Sequence, residues 1–208
     1  SEKLLKHLIS SVLAGLWLSA PALALPVSVT YSGIFDDAYA NYSGLVYPNA
    51  VVGDSYSMTL SFDTSTWWES SHSSQASYSQ RAYGGFANWS ATLGSYSISG
   101  MSRSAIYLTN AFAGSGYADS INFLTYESTG PFAGAPLQMY SYNYTPNAIH
   151  SDTWAALSEL SNFGNHYAFA TQYYLVNGIN YSANLSDNNA ATSVVVPEPS
   201  LVGDFEAL

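Results

Sequence analysis

Beyond residue 26, apolar and small polar residues alternate with a period of two along most of the chain. In VSVTYSGIF, Val27, Val29 and Tyr31 share one parity while Ser28, Thr30 and Ser32 share the other. SYSMTLSFD repeats the pattern through Tyr56, Met58, Leu60 and Phe62, as do the stretches around Ile98, Ile106 and Phe123. Successive side chains of a β-strand point to opposite faces. The pattern therefore predicts half-buried antiparallel strands, each with an apolar face and a hydroxyl-bearing face. Turn-forming clusters punctuate them at Tyr47-Pro48-Asn49, Val52-Gly53-Asp54, Ala113 to Gly116, Gly130-Pro131 and Asn177-Gly178. The last lies between LV and INYSANL and predicts a two-residue hairpin of type I′.

One segment breaks the alternation. HSDTWAALSELSNFG predicts a single short helix near 152–163, capped by Asp152, carrying Trp154, Leu157 and Leu160 inward and ended by Gly164. Such a helix would plug one end of the sheets. Roughly ten closely spaced strands without βαβ alternation predict an all-β fold, an antiparallel β-sandwich with jelly-roll-like connections, over residues 25–196. No repeat of fixed period argues for a solenoid or propeller. The serine-rich stretch SSHSSQASYSQ, Ser70 to Gln80, reads as a long loop inside the domain.

Composition narrows the partners. Only 9% of the 208 residues are charged, against roughly 25% in ordinary globular proteins. The charge present is one-sided, with fourteen Asp+Glu against four Lys+Arg and a formal net charge of -10. Two of the basic residues are Lys3 and Lys6, so the body keeps Arg81 and Arg103 alone. Such a surface repels phosphate backbones, which excludes nucleic acid as a partner and disfavours anionic membranes. The chain has no cysteine, which removes disulfides, thiol catalysis and cysteine-based metal centres together.

The first 24 residues have the organisation of a secretory signal. Lys3 and Lys6 supply a basic start, Leu8 to Leu18 an apolar run, and Ala22-Leu23-Ala24 a small-x-small cleavage site. The apolar run is about half the roughly 20 residues needed for a membrane helix.

Motifs for chemistry are scarce. There is no nucleophile elbow, zinc-protease motif, phosphate loop or EF-hand spacing. His72, His150 and His166 are scattered rather than paired. Asp36-Asp37 is an acidic doublet; in a loop it can give oxygen ligands to calcium, as can Asp187-Asn188-Asn189. Solvated turns account for both more simply, so no cofactor is expected. Trp67-Trp68 is the candidate carbohydrate contact. Flat aromatic faces stack on pyranose rings, and in an extended chain one of two adjacent rings faces outward. Trp89 and most other rings are assigned to the core. With Glu69 beside it, the doublet also carries the alternative of a carbohydrate-binding or carbohydrate-degrading sandwich.

The chain closes on Val196-Pro197-Glu198-Pro199-Ser200 and then LVGDFEAL. An exported, cysteine-free, Ser/Asn/Tyr-rich β-protein with this ending resembles the PEP-CTERM family of Gram-negative exported proteins. The resemblance implies that Pro197, Glu198 and Pro199 open a C-terminal sorting signal recognised by an exosortase, a membrane cysteine protease. It implies a non-enzymatic protein of the cell surface or extracellular matrix, associated with exopolysaccharide and biofilm. One departure stands out: the family's tail continues into a membrane helix and a basic cluster. LVGDFEAL contains Asp204 and Glu206, no basic residue, and too little apolar length to span a bilayer. The expected organisation is a signal peptide at 1–24, a β-domain at 25–196 and the motif with its tail at 197–208.

The exported form is expected to begin at Leu25. N-terminal sequencing of protein recovered outside the cytoplasm checks this; an intact Lys3 there contradicts the signal.

Overall fold

The alternating segments form strands almost wherever the pattern is strict. A computed structural model describes residues 26–48, 50–126, 137–144 and 147–196; the predicted leader, its Ala22 and Ala24, and the motif Pro197-Glu198-Pro199 lie outside the described residues. Eleven strands are present there: β1 (Pro26–Ile34), β2 (Asp37–Ala40), β3 (Ser55–Asp63), β4 (Trp68–Ser74), β5 (Tyr78–Leu93), β6 (Tyr96–Ala111), β7 (Asp119–Tyr126), β8 (Leu137–Asn143), β9 (Asn165–Val176), β10 (Ile179–Asp187) and β11 (Ala191–Val195). All described pairings are antiparallel, in the order β11-β1-β3-β5-β6-β7-β8-β9-β10-β2, with β4 also on β5.

Register keeps the parity of every strand aligned. Val29 lies opposite Leu60, Leu60 opposite Trp89, Leu108 opposite Ile121, and Met139 opposite Ala168. One face of the sheet is consequently mostly apolar, interrupted by Ser102, Ser104, Thr125, Ser141 and Asp119, and it buries itself by folding over. The β1–β3 half meets the β8–β10 half: the ring of Tyr31 on β1 lies 6.3 Å from that of Phe123, its hydroxyl bonds to Ser141 on β8, and Tyr56 on β3 reaches Asp187 on β10. The result is the antiparallel all-β sandwich predicted by the alternation. Its connections are more local than the jelly-roll-like arrangement anticipated, because β5 through β10 form a meander of consecutive neighbours. The chain changes layers at one corner, between β1 and β2 and again between β10 and β11. Asn188 donates there to Asp36 through its backbone N–H (3.2 Å) and its amide (3.0 Å).

The turn chemistry follows the sequence. Val176 pairs with Ile179 across Asn177-Gly178, whose φ values of 51° and 78° are those that a type I′ turn needs and that Asn and Gly tolerate. The serine-rich segment, by contrast, is not a long loop. Ser70 to Ser74 belong to β4, paired with β5 as far as Ser74 opposite Ser79, with a register shift between Glu69 and Ser71. Serine obscures a strand in sequence because it adds no apolar periodicity, yet a ladder needs only backbone groups.

The predicted helix exists as a 3₁₀ helix over Trp154–Asn162, with Ala156, Leu157 and Leu160 buried. Its N-cap is Thr153, which makes no side-chain cap bond. Asp152 does not cap it; that carboxylate instead accepts from the Ser79 hydroxyl. Trp154 stacks on Tyr83 at 3.9 Å and packs near Phe62 and Trp67, closing this end of the sandwich.

A second buried carboxylate organises the same half of the molecule. Asp119 is fully buried. Its Oδ1 accepts from the Ala111 N–H at 2.7 Å, and its Oδ2 from Asn147 and Ala148 at 2.8 Å and Ile149 at 3.3 Å. Three successive N–H groups converging on one oxygen form an anion cradle, and Asn147 adopts a φ of 100° to complete it. Buried charge costs stability unless it is satisfied in this way. Asp119→Ala is expected to destabilise the fold by about 3 kcal/mol or more, as for other broken buried networks. Asp119→Asn, which keeps the shape but presents an amide donor to N–H groups, should fall between. Urea unfolding of the three proteins measures the order.

Candidate functional site

Trp67 and Trp68 separate as extended neighbours must. Trp67 turns into the core, donates its indole N–H to the Phe86 carbonyl at 3.1 Å, and packs 4.8 Å from the Phe62 ring. An added Cβ at Gly85 would meet it at 2.5 Å, so only glycine fits beneath that ring. Trp68 points out and remains 47% exposed, lying across Gly84 of the neighbouring strand. Of the two rings, Trp68 alone can meet a ligand. Trp89 is buried, as the alternation requires.

Glu69 follows on the inner parity and is already engaged. Its Oε2 accepts from Arg81 Nη1 at 2.5 Å, and this bond leads in raising the guanidinium pKa above its ordinary value. Arg81 also lies 3.6 Å from Asp152, which sits 3.3 Å from His72 Nε2. The β4 bulge, by setting His72 opposite Arg81, assembles this group of two carboxylates, one guanidinium and one imidazole. Both carboxylates face a single cation. Arrangement as an ion-pair lock at the mouth of the sandwich suits it better than proton transfer to a bound sugar.

The acidic residues considered for calcium come together only in part. Asp36 accepts both bonds from Asn188, and Asp37 accepts from the Ala38 N–H at 2.8 Å. Asp187 is buried, accepting from Tyr56 at 2.8 Å and from the Asn189 N–H at 2.8 Å. Burial, with the bonded Asp187 next, holds the Tyr56 hydroxyl far above the ordinary tyrosine pKa. Among the described residues no three His, Cys, Asp or Glu side chains group as metal ligands. Asp36 and Asp187 work as crossover staples in the structure, while Asp37 bonds only to the N–H of its neighbour.

The histidines are as dispersed as their spacing suggested. His150 pairs with Glu159 at 2.6 Å on the surface. His166 is half-buried on the inner face, its Nδ1 2.6 Å from Ser141 Oγ, which in turn bonds to Tyr31. Ser141 is fully buried, so the pair resembles a hydrolase dyad only in composition and offers no nucleophile to a substrate. It bridges the two layers instead.

Sequence reasoning passed over a group of rings on the opposite face. Tyr140 and Tyr142 of β8 point outward, as do Tyr167 and Phe169 of β9. Tyr142 lies 5.5 Å from Tyr140 and 5.3 Å from Tyr167, with interplanar angles of 23° and 19°, and its hydroxyl meets that of Tyr167 at 3.0 Å. Tyr144, just past β8, stands at 81° to Tyr142 and is 74% exposed. Together with Ala118 these five rings line a shallow open cleft. The alternation Tyr140-Ser141-Tyr142-Asn143-Tyr144 carried the signal, but the partner strand that completes the group is set by register.

Comparison with known proteins adds no relative: no family model, curated protein or solved structure matches the chain. Among the described residues no helix is long and apolar enough to cross a membrane.

Burial lowers the His166 pKa below the ordinary 6.5, partly opposed by a hydrogen bond with the Phe163 backbone. A histidine with a depressed folded pKa favours its neutral form in the native state. The unfolded chain therefore binds more protons, and stability rises with pH. This contribution is complete above about pH 6.5 and is lost as pH falls through the folded value. Between pH 7.5 and 5, the urea midpoint of the wild type should fall more than that of His166→Gln. Equal slopes would place the titration elsewhere.

Proposed function

We propose that this chain is a non-enzymatic, exported protein of the cell surface or extracellular matrix of a Gram-negative bacterium, whose sheet contacts polysaccharide. The observation that carries the reading is the chemistry of the outer sheet face. On the outward positions of β5 to β10, Arg103 is the only charged residue described, although the chain carries fourteen acidic groups. Hydroxyls, amides and tyrosine rings make up most of the remainder, beside the exposed Phe86, Met101 and Leu175, with Gln138 bonded to Asn122 at 3.0 Å and Gln80 to Thr109 at 2.8 Å. Excluding charge from so much surface favours an uncharged, hydroxyl-rich partner.

The ending Val196-Pro197-Glu198-Pro199-Ser200 supports sorting by an exosortase, by its resemblance to the PEP-CTERM signal. The basic start and apolar run of the first 24 residues support export. A carbohydrate-degrading role is the second reading, favoured by exposed Trp68 next to Glu69. The Arg81 bond to Glu69 weighs against it, since that carboxylate is already engaged by a guanidinium rather than free to meet a sugar.

Two measurements separate these readings. In a Gram-negative host the protein is expected outside the cytoplasm, and lysine substitutions within Leu8 to Leu18 should retain it inside. Incubated with polysaccharides, the purified protein should release no reducing ends above buffer. Release that Glu69→Gln abolishes would establish the enzymatic reading and displace the structural one.

A further inference from the structure

We propose that the aromatic corner formed by Tyr142 and Tyr144, backed by Tyr140, Tyr167 and Phe169, is the binding site for an uncharged pyranose polysaccharide. The inference rests on the reading that the sheet contacts polysaccharide, and it names the place and the class of glycan. Three features of the corner carry it.

The first is shape. Tyr142 is stacked between Tyr140 and Tyr167, at 5.5 and 5.3 Å with angles of 23° and 19°, and Tyr144 stands at 81° to it with a centroid 4.7 Å away. An exposed ring set at a right angle to a stacked row suits a flat sugar ring, whose C–H face stacks on one aromatic ring while its edge meets another. Ala118, just before β7, lines the cleft with a small side chain.

The second is exposure. Tyr144 leaves 74% of its surface in water and contacts Tyr142 edge-on.

The third is the surrounding chemistry. Asn122 and Gln138 stand on the same face, already bonded to each other, with Asn165 beside Tyr142 across the strand pair. Tyr107, Tyr126 and Tyr173 form a second aromatic group on that face, close enough that each neighbour helps raise the Tyr126 hydroxyl pKa after burial. Rings interleaved with amides match a polymer that alternates C–H faces and hydroxyls. Carboxylate polymers are disfavoured, since Arg103 is the only cation described on the outer positions and the chain as a whole has a net charge of -10. A peptide partner would instead call for a deeper apolar groove or an unpaired strand edge.

The test uses the full chain in pull-down assays with microcrystalline β-1,4-glucan, an insoluble neutral β-1,3-glucan, and alginate as an anionic control. Retention on a neutral glucan and not on alginate, unchanged in 1 M sodium chloride, is expected. Tyr144→Ala and Tyr142→Ala should each weaken it by about tenfold, a ring contact being worth about 1 to 1.5 kcal/mol. Tyr144→Phe should retain most of the affinity, because the ring face carries the contact. Thermal melting checks each variant; Tyr144, being largely in solvent, keeps the test valid if Tyr142→Ala unfolds. Retention lost in Trp68→Ala but kept in both tyrosine variants would move the glycan to β4, leaving the polysaccharide reading standing and this site refuted. A wild type that binds neither neutral glucan, or binds alginate instead, overturns the proposal.

Discussion

The rest of the structure depends on one constraint: a single sheet buries one face by folding over on itself. Once β1 and β3 are laid against β8 to β10, every strand between them must carry its apolar residues on the same parity. A one-residue slip anywhere would send Leu60, Ile106 or Met139 into water and bring serine inside. Alternation is therefore strict in β1, β3 and β7, which lie within the folded-over region. It loosens in β4, which pairs only with β5 and has little core to cover. The outer face, free of that constraint, accumulates hydroxyls, amides and rings.

The long-range polar networks inside the fold occur where the two layers or distant segments need joining. Tyr31, Ser141 and His166 form one bridge across the layers, and Tyr56 with Asp187 forms another. Asp119 ties β6 and β7 to the segment leading into the 3₁₀ helix. Each links residues far apart in the chain, so each is satisfied only after the sheet has closed. Such networks specify one closed arrangement more than they add net stability.

Charge and aromatic surface are segregated in a way that bears on function. The Glu69–Arg81–Asp152–His72 group and the Asp36–Asn188 staple lie at strand ends and crossovers, while β8 and β9 present tyrosines to solvent. Ion pairs near the mouth are partly exposed, and their contribution to stability is modest. Exposed rings cost solubility, which the large net negative charge offsets. The outward tyrosines are concentrated on one stretch of sheet, across β8 and β9.

Much of this architecture was legible in the sequence because a period of two is local. Alternation located the strand segments around Val29, Leu60, Ile106 and Phe123 and required one ring of Trp67-Trp68 to face outward, while the Asn-Gly pair marked the turn at 177–178 and the break in the pattern marked the short helix. What it could not locate were features set by contacts between distant residues. Ser70 to Ser74 looked like a loop because serine carries no apolar signal, and only pairing with β5 makes it a strand. Asp152 looked like a helix cap, but tertiary packing brought Ser79 to its carboxylate instead. The meander order, the pairing of Asp36 with Asn188, the burial of Asp119 and the meeting of Tyr142 with Tyr167 all follow from register and closure. Those are properties of the assembled sheet. Which face each residue takes is decided by its nearest neighbours in the chain, and which residue it meets there is decided only when the layers come together.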